Sequence, residues 1–578
     1  MPSPPPTWWK DGVCYQIWPS SYKDSNSDGL GDIPGILPTL NYLRDLGIDI
    51  IWLSPTYASP QADMGYDISD FEAIYPPFGT MADMDMLISE VHRRGMRIIL
   101  DLVINHTSDQ HVWFKESRKS RDNKYSDFYM WQPPKYAPDG TRRPPNNWRS
   151  SFGGSAWEYV PERDQYYLHL FAKEQPDLNW ENPVARKAIY ETAIEYWLKK
   201  GVDGFRVDVA NLYSKDVSFS DAKVLEPDAE TQFPFEHCLN GPRIHEFLKE
   251  IRRDVLDKYG EDVMMVGECW MTERDEVIRY VSKGEKELNM IFDFAMVFVV
   301  MEFEDGMAKT REWKLPELKA AIAKAQLLTQ DTEAWTTVFA ENHDAPRSLS
   351  RYATTDPKWR VKAGKLLAVM LATLTGTLFL YQGQEIGMVN VPDSWTVEDF
   401  RDIASLNSWK ATAERYAEDE EKLSKALQML RTTSRDNART PVQWDDGPNA
   451  GFCPHGVKPW IRVHDNYKEV NVAAAQKDPD SILAMWKHML RLRKQYRDVL
   501  VYGSFEIYNM EDPNVFTYVK SFEDTKILVA LNFNSEERDL EIPLSFKERT
   551  VELLVANVDQ VQDKLSAWEA RAYLVRQQ

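Results

Sequence analysis

The sequence predicts an α/β protein built on a TIM barrel, a (β/α)8 barrel of parallel strands enclosed by helices. Short apolar runs alternate with amphipathic helical segments, and the alternation gives the eight strand-helix units of such a barrel. The run at residues 96–103 is almost continuously apolar, as parallel strands buried on both faces require. Polar side chains follow several runs directly, at the strand ends where a barrel gathers its functional groups.

The predicted elements follow one another along the chain. The predicted strands span residues 13–19, 48–53, 96–103, 202–207, 263–266, 290–292, 336–340 and 377–381. The predicted helices span residues 38–46, 81–94, 183–200, 242–258, 315–329, 359–374 and 482–496. Each helix is assigned from apolar residues at helical spacing, and each strand from a short β-type run.

Three segments depart from the alternation and predict the domain organisation. Residues 107–170 are rich in Pro, Asn, Arg and aromatic residues and predict an inserted domain B after strand 3. Residues 393–460 form a second excursion, and short β-rich runs beyond residue 503 predict a small antiparallel β domain. The predicted division is barrel domain A at 1–106 and 171–502, domain B at 107–170 and domain C at 503–578.

Composition excludes several classes of partner. The net charge of −21 and a pI near 5.1 disfavour nucleic acid and anionic membranes and suit a neutral ligand. Four cysteines stand without metal-type or paired spacing, which favours a reducing compartment. No leader-type or membrane-spanning apolar run occurs. We therefore expect a cytoplasmic protein with no membrane partner, as a monomer or weak homo-oligomer.

A loop after the first strand has oxygen ligands at alternate positions. The predicted ligands are the side chains of Asp24, Asn26, Asp28 and Asp32 and the backbone carbonyl of Leu30. Such a donor set suits Ca²⁺, with Mg²⁺ as the alternative ion. The distal Glu of an EF-hand is missing, and a solvated turn rich in Asp and Asn is the competing interpretation.

Polar side chains stand at the ends of four predicted strands. They are residues 101–106 after strand 3, Arg206 and Asp208 on strand 4, Glu268 after strand 5, and residues 341–344 after strand 7. An isolated Arg-x-Asp pair is more often structural than functional. Four such ends together predict one pocket, because a barrel brings the carboxyl ends of its strands to one face.

Two carboxylates with different roles are what cleavage of a glycosidic bond requires. Arg206 and Asp208 lie two residues apart on a strand and share a face, so the guanidinium can hold the carboxylate ionised as a nucleophile. Glu268 follows an apolar strand, where desolvation would favour its neutral form and make it the acid. Asp344 supplies a third carboxylate.

These residues carry a family resemblance. Residues 101–106, 204–212, 266–268 and 339–344 resemble the signature regions of the α-glucosidases in the α-amylase superfamily, glycoside hydrolase family 13. The stretch 175–179 resembles the form found in the oligo-1,6-glucosidase and fungal maltase-isomaltase group. The resemblance implies a retaining mechanism with Asp208 as nucleophile, Glu268 as acid/base and Asp344 as transition-state stabiliser. It also implies that the metal loop is structural.

The resemblance further implies a set of substrate-binding residues. Those that would hold the non-reducing glucose are Tyr66, Asp67, His106, Arg206, His343 and Arg435, supported by Arg439. Those that would wall the pocket are Phe152, Phe171 and Phe294. Ser151, Cys269 and Trp270 depart from the residues common in the family, which bears on the entrance and on the aglycone side of the pocket.

Val209, directly after the predicted nucleophile, bears on linkage specificity. In the family that it resembles, Val at this position goes with cleavage of α-1,6 bonds, and Thr or Ala with maltose preference. The chain is thus expected to be an exo-acting α-glucosidase that favours isomaltose-type bonds, with α-1,4 activity left open. The alternatives are a transglucosylase or a sucrose or trehalose isomerase. A non-catalytic transporter heavy chain is the remote alternative, which the missing anchor and the retained carboxylates disfavour.

Overall fold

The barrel of eight parallel strands predicted from the sequence is present. The computed structural model describes residues 4–304, 307–330, 332–540 and 550–576. The barrel strands are β1 (Val13–Ile17), β2 (Ile50–Leu53), β3 (Arg97–Leu102), β4 (Gly204–Val207), β5 (Met264–Glu268), β6 (Met290–Phe292), β7 (Thr337–Val338) and β8 (Thr377–Tyr381). Their order is β6-β5-β4-β3-β2-β1-β8-β7. A parallel bridge between Ile291 and Thr336 joins the two ends.

A helix follows each strand and returns the chain to the start of the next. The helices are α1 (Leu40–Leu46), α2 (Met81–Arg93), α3 (Pro183–Ile189), α4 (Tyr196–Lys199), α5 (Ile244–Asp254), α6 (Arg274–Val281), α7 (Leu315–Leu328), α8 (Arg360–Thr373) and α9 (Ile482–Gln495). A π-helical turn, Tyr190–Glu195, joins α3 to α4, so the predicted single helix is present in three parts. Helix α6 was not predicted, because only eight residues carry its pattern.

Local sequence signals fix the ends of these helices. Thr80 and Asp83 form a reciprocal capping box at the start of α2. Helix α1 ends at Gly47, which takes the left-handed conformation that favours glycine. Both ends agree with the prediction to within two residues.

Alternate residues of the strands fill the barrel interior. Ile50 and Trp52 belong to the apolar cluster inside the barrel, whereas Ile51 and Leu53 pack against the surrounding helices. The same alternation on β4 turns Arg206 inward, and its register places it beside Asp101 of β3. The last inward positions of the strands therefore carry the polar groups.

The segment between β3 and α3 contains a separate small sheet. Its antiparallel strands are Trp131–Gln132, Trp157–Val160 and Gln165–Leu168, and a hairpin pairs Lys135–Tyr136 with Arg142–Arg143. The ring of Phe114 lies 5.7 Å from that of Trp131 and 4.9 Å from that of Tyr167, measured between centroids. The aromatic residues that set this segment apart in the sequence thus form its core.

The excursion between β8 and α9 is largely helical. It contains Ile403–Arg415, Glu420–Thr433 and the short helix Asp436–Arg439, none of which was predicted individually. The helix Ile403–Arg415 begins at Asp402, whose side chain accepts a hydrogen bond from the backbone N–H of Ser405. This start fixes Asp402 near the barrel face that holds the polar strand ends.

An antiparallel sheet forms the C-terminal part of the chain, as predicted. Its strands are β9 (Ser504–Tyr508), β10 (Val515–Phe522), β11 (Thr525–Asn532), β12 (Thr550–Ala556) and β13 (Ala570–Arg576), in the order β9-β10-β11-β13-β12. The exact boundaries of the predicted domains stay predictions. In the described part of the chain no helix is both long enough and apolar enough to cross a membrane. The four cysteines are buried and free.

Candidate active site

Arg206 stands at the centre of the polar strand ends. One terminal nitrogen, Nη1, donates to Asp101 Oδ1 at 2.6 Å and to Asp208 Oδ1 at 2.7 Å. The other, Nη2, donates to Glu268 Oε2. The Arg206 side chain is only 1% exposed, so a single guanidinium joins the ends of β3, β4 and β5 out of contact with water.

The three carboxylates around Arg206 exceed its charge. Burial raises the pKa of Asp208 well above its usual range; Arg206 opposes that rise, and the charges of Glu268 and Asp101 add to it. Burial likewise raises the pKa of Asp101, against Arg206. Burial therefore outweighs the single guanidinium at Asp208, and the neutral form of this carboxyl group is favoured in the unliganded site.

Hydrogen bonds, and not burial, distinguish Asp208 from Glu268. The two residues are 5% and 4% exposed, so the sequence-based argument that desolvation singles out Glu268 as the acid has no basis in the structure. Glu268 accepts at Oε2 from Arg206 and from the backbone N–H of Val209, 3.2 Å away, and at Oε1 from the Trp270 indole. Donors to both oxygens hold the carboxyl group in one orientation.

Val209 adopts a strained backbone conformation beside the predicted nucleophile. Its φ and ψ are 36° and 49°, in the left-handed region that a β-branched residue rarely enters. The turn directs the Val209 N–H towards Glu268. The Val209 side chain, 3% exposed, packs in a cluster that includes Phe171 and Trp270. The strained turn after β4 thus contributes one hydrogen bond to the carboxylate at the end of β5.

Asp344 lies among cationic and aromatic groups after β7. Arg439 Nη2 donates to its Oδ1 at 2.9 Å, and His343 Nε2 lies 3.0 Å from its Oδ2. Burial raises the pKa of Asp344, but His343, Arg435 and Arg439 outweigh it and hold that pKa well below the usual range. Asp344 is therefore an ionised carboxylate, in contrast to Asp208, whose pKa is raised by burial.

His343 belongs to a group of three aromatic rings. Its centroid lies 5.3 Å from that of Trp18 and 5.3 Å from that of Tyr66, with nearly parallel planes, and the centroids of Trp18 and Tyr66 lie 6.4 Å apart. The Tyr66 hydroxyl lies 2.7 Å from His343 Nε2 and donates to Asp101 Oδ2 at 3.2 Å. Tyr66 thereby links the Arg206 group to the Asp344 group. Sequence reasoning missed Trp18, which follows β1 directly.

Asp63 reaches this site, and the predicted Asp67 does not. Asp63 accepts from Arg435 at 2.9 Å and from Gln175 at 3.2 Å. In the described part of the chain, the Asp67 carboxylate accepts hydrogen bonds from Ser59, Ala62 and Asp63, all within its own loop. Asp67 shapes the loop that presents Asp63, which the sequence analysis did not name.

Aromatic rings border the carboxylates on one side. Phe171 packs at centroid distances of 5.3 Å from His106, 5.8 Å from Phe152 and 6.4 Å from Trp270. The Arg435 guanidinium lies 5.2 Å from the centre of the Phe152 ring. His106 also lies 3.1 Å from the amide nitrogen of Gln175. Phe294 packs on Phe298 and Phe339, and its place in the pocket wall stays a prediction.

Comparison with known proteins assigns this arrangement to a family. The family described as "Alpha amylase, catalytic domain" matches residues 16–503, which include every residue of the site. The chain belongs to the alpha-amylase family. An alpha-glucosidase of Candida albicans is 48% identical over 573 residues, covering 98% of this chain and 99% of the relative. An oligo-1,6-glucosidase of Parageobacillus thermoglucosidasius is 44% identical over 580 residues, with 98% and 99% covered.

Solved structures of the alpha-amylase family superpose over the whole chain. A Bacillus licheniformis trehalose-6-phosphate hydrolase has a TM-score of 0.90 at 39% identity, covering 99% of this chain and all of its own. An isomaltulose synthase from Klebsiella sp. LX3 has a TM-score of 0.91 at 37% identity, with the same coverage. The fold is therefore shared by family members whose names indicate different reactions.

In this alpha-amylase family member, side chains of the predicted metal loop accept hydrogen bonds from the backbone of the same loop. Asp24 Oδ1, Asn26 Oδ1 and Asp28 Oδ1 each accept a backbone N–H two residues further on. Asp32 accepts from Ser25 and Gly35. Among the residues that the structure describes, no group of three or more His, Cys, Asp or Glu side chains is arranged to hold a metal ion.

Proposed function

We propose that the protein is an exo-acting retaining α-glucosidase that releases glucose from the non-reducing end of short oligosaccharides and favours α-1,6 bonds. One observation carries the proposal: Arg206 bonds both Asp208 and Glu268, with the ionised Asp344 on the other side of Tyr66. A shared guanidinium favours the close carboxyl spacing, about 5 Å, of retaining glycosidases. Relatives named alpha-glucosidase and oligo-1,6-glucosidase, matched over nearly their full length, support it.

The first half-reaction transfers the glucosyl unit to the enzyme. A carboxylate oxygen of Asp208 forms a bond to the anomeric carbon as the bond from that carbon to the leaving oxygen breaks. Glu268 gives its proton to the leaving oxygen. This step requires Asp208 ionised and Glu268 protonated, which is one negative charge and one transferable proton. Asp344, ionised, accepts hydrogen bonds from sugar hydroxyls and stabilises the positive charge that develops on the ring.

The second half-reaction restores the enzyme with the same anomeric configuration. Glu268 takes a proton from water as the water oxygen bonds to the anomeric carbon. The bond from that carbon to Asp208 breaks, and Asp208 leaves as a carboxylate. Arg206 is hydrogen-bonded to both carboxyl groups, which holds Asp208 and Glu268 in one orientation while the proton is transferred. Two displacements on opposite faces give net retention.

The ion pairs of Arg435 support the proposed exo action. Arg435 bonds Asp63 and Asp402, at 2.9 and 2.6 Å, and its guanidinium lies against the Phe152 ring. In the proposed binding mode the hydroxyl groups of the terminal glucose face these ion pairs, and the rest of the oligosaccharide extends from the opposite side of that ring.

Val209→Thr tests the linkage preference. The substitution keeps the branched shape at the strained position but places a hydroxyl among apolar rings beside the aglycone, so we expect the isomaltose-to-maltose ratio of kcat/KM to fall about tenfold. The measurement is kcat/KM on isomaltose, maltose and sucrose, with Val217→Thr, an exposed valine, as the matched control. Strong maltose turnover without isomaltose turnover in the unsubstituted enzyme would overturn the linkage proposal.

An isomerase is the second candidate, because solved structures similar to this chain include isomaltulose and trehalulose synthases. Product analysis at high sucrose concentration separates the two activities. A rearranged disaccharide as the main product would indicate an isomerase, and free glucose a hydrolase. The products of the same reaction also report transglucosylation.

We propose that the Asp24 loop binds structural Ca²⁺ through Asp24, Asn26, Asp28, Asp32 and the Leu30 carbonyl. The donor set is all oxygen, which suits Ca²⁺ or Mg²⁺. Burial raises the pKa of Asp32, hydrogen bonds from Ser25 and Gly35 oppose the rise, and the charge of Asp24 adds to it. A cation would relieve this repulsion.

Removing the metal tests this proposal through stability. We expect EDTA to lower the melting temperature by several degrees and Ca²⁺ to restore it, because an ion bound only to the folded state stabilises that state. Asp24→Ala should abolish the response to both additions, whereas Asp122→Ala, at an exposed position of the inserted segment, should retain it. A melting temperature indifferent to EDTA and Ca²⁺ would contradict the proposal, whatever the activity.

We also propose a cytoplasmic enzyme that is a monomer or a weak homo-oligomer. The four buried free thiols support a reducing compartment. Cell fractionation tests the compartment, and light scattering over a range of protein concentrations tests the assembly. A concentration-independent oligomer would refute the assembly proposal.

A further inference from the structure

Trp270 makes a contact with the acid that the mechanism above does not use. Its indole Nε1 donates to Glu268 Oε1 at 2.7 Å. The ring is half-buried and packs edge-on against Phe171. The sequence analysis connected Trp270 with the aglycone side of the pocket and not with the acid. The hydrogen bond places it on the acid itself.

The backbone of Trp270 is clamped to the turn that follows the nucleophile. Asn211 is fully buried; its Nδ2 donates to the Trp270 carbonyl at 2.9 Å, and its Oδ1 accepts from the Trp270 N–H at 3.3 Å. Thr272 Oγ1 donates to the same carbonyl at 3.0 Å. The indole is therefore held in place by the β4 turn and does not rely on its ring contact alone.

The hydrogen bonds of Glu268 decide which oxygen carries the catalytic proton. Oε2 accepts from the guanidinium of Arg206 and from the Val209 N–H, and neither group can accept a proton in return. A hydrogen on Oε2 would face two donors. The transferable proton therefore sits on Oε1, the oxygen that Trp270 contacts.

We propose that Trp270 is a positioning residue whose indole N–H stabilises the carboxylate that forms on Glu268 Oε1 as the leaving oxygen takes its proton. The proposal rests on the proposed glycosidase function. A hydroxyl oxygen on Oε1 can still accept from the indole while donating to the leaving oxygen. The bond becomes charge-assisted once the proton has gone, so it strengthens towards the transition state. Trp270 thus assists the step in which the leaving group is protonated.

The proposal makes a statement about pH as well as rate. The charged and titratable groups that face Glu268 are Arg206, Asp208, Tyr213 and Cys269, and Asp101 shares the guanidinium of Arg206. All of them stay in place when only the indole N–H is removed. Losing that donor disfavours the ionised Glu268, so the alkaline limb of kcat/KM should move to higher pH.

Trp270→Phe is the test, because it keeps an apolar ring and removes the N–H. On isomaltose, whose leaving oxygen needs a proton, we expect kcat/KM to fall at least tenfold and the alkaline limb to rise by about one pH unit. On α-glucosyl fluoride, whose leaving group needs little proton assistance, kcat/KM should change less than twofold. Trp131→Phe is the matched control, an indole that donates to Ser117 in the inserted segment.

Equal loss on both substrates, or an unmoved alkaline limb, would overturn the role of Trp270 and leave the proposed function standing. That result would reduce Trp270 to a packing residue. Failure of the unsubstituted enzyme to turn over either substrate would overturn the proposed function and, with it, this inference. The fluoride arm therefore separates the two failures.

Discussion

Asp208→Asn is expected to reduce kcat/KM on isomaltose by about 10⁴-fold or more, because the amide cannot form the glucosyl ester. The substitution keeps the side-chain shape and the oxygen that accepts from Arg206, so the fold should persist. The measurement is steady-state hydrolysis beside a circular dichroism melt. Asp122→Asn, an exposed position in the inserted segment, is the matched control for loss of one carboxylate.

Azide distinguishes the roles of the two carboxyl groups. In Asp208→Ala, azide can enter the space of the nucleophile and attack an activated glucosyl donor directly, which gives the β-azide. In Glu268→Ala the glucosyl enzyme still forms, and azide attacks it from the opposite face to give the α-azide. Proton NMR of the two products reads the configuration. Interchanged anomers would reverse the assignment, and near-normal activity of Asp208→Asn would refute the mechanism.

The polar residues at the strand ends could be predicted from the sequence because the geometry of a barrel brings those ends together. Asp208, Glu268 and Asp344 are separated by 60 and 76 positions in the chain, yet each follows a recognisable apolar strand. Parallel strands that close a barrel converge at one face, so strand identification alone places such residues in one pocket. Loop residues have no such constraint.

Which of Asp63 and Asp67 faces the site could not be predicted, because both lie in a loop. Both carboxylates stand in one short segment, and the sequence offers no period that selects between them. The segment turns through positive φ angles at Gln61, Met64 and Gly65, and these turns decide which carboxylate faces Arg435. Such angles depend on the tertiary contacts of the loop and not on its composition.

The feature that distinguishes Glu268 from Asp208 could not be predicted from the sequence either. The apolar strand before Glu268 suggested that desolvation would distinguish it from Asp208, but folding buries both to the same degree. Glu268 differs from Asp208 in accepting hydrogen bonds from the Trp270 indole and from the Val209 N–H, and both donors lie in turns. Chemistry that depends on individual hydrogen bonds therefore requires the structure.

Arg206→Met is expected to destabilise the enzyme strongly, as well as to abolish activity. The variant leaves Asp101, Asp208 and Glu268 buried without their shared cation, and loss of one partner of a buried ion pair costs about 3–5 kcal/mol. Arg206→Lys should lose less stability, since an ammonium group keeps the charge but lacks the two-sided fork. Arg142→Met, at an exposed arginine, is the control for loss of a cation.

The loss should depend on pH in a defined direction. Without Arg206 the pKa values of Asp101 and Asp208, already raised by burial, rise further in the folded state and stay ordinary in the unfolded chain. Between the unfolded and folded pKa values the folded state binds more protons, so stability falls as pH increases through that window. Urea unfolding should therefore show a larger loss of unfolding free energy at pH 8 than at pH 5.

A second substitution tests the role of charge. Adding Asp101→Asn to Arg206→Met should recover part of the lost stability at pH 8 without restoring activity, because one buried charge is gone while the catalytic pair still lacks its cation. A deficit equal at both pH values, unchanged by Asp101→Asn, would mean that Arg206 contributes packing volume and not charge.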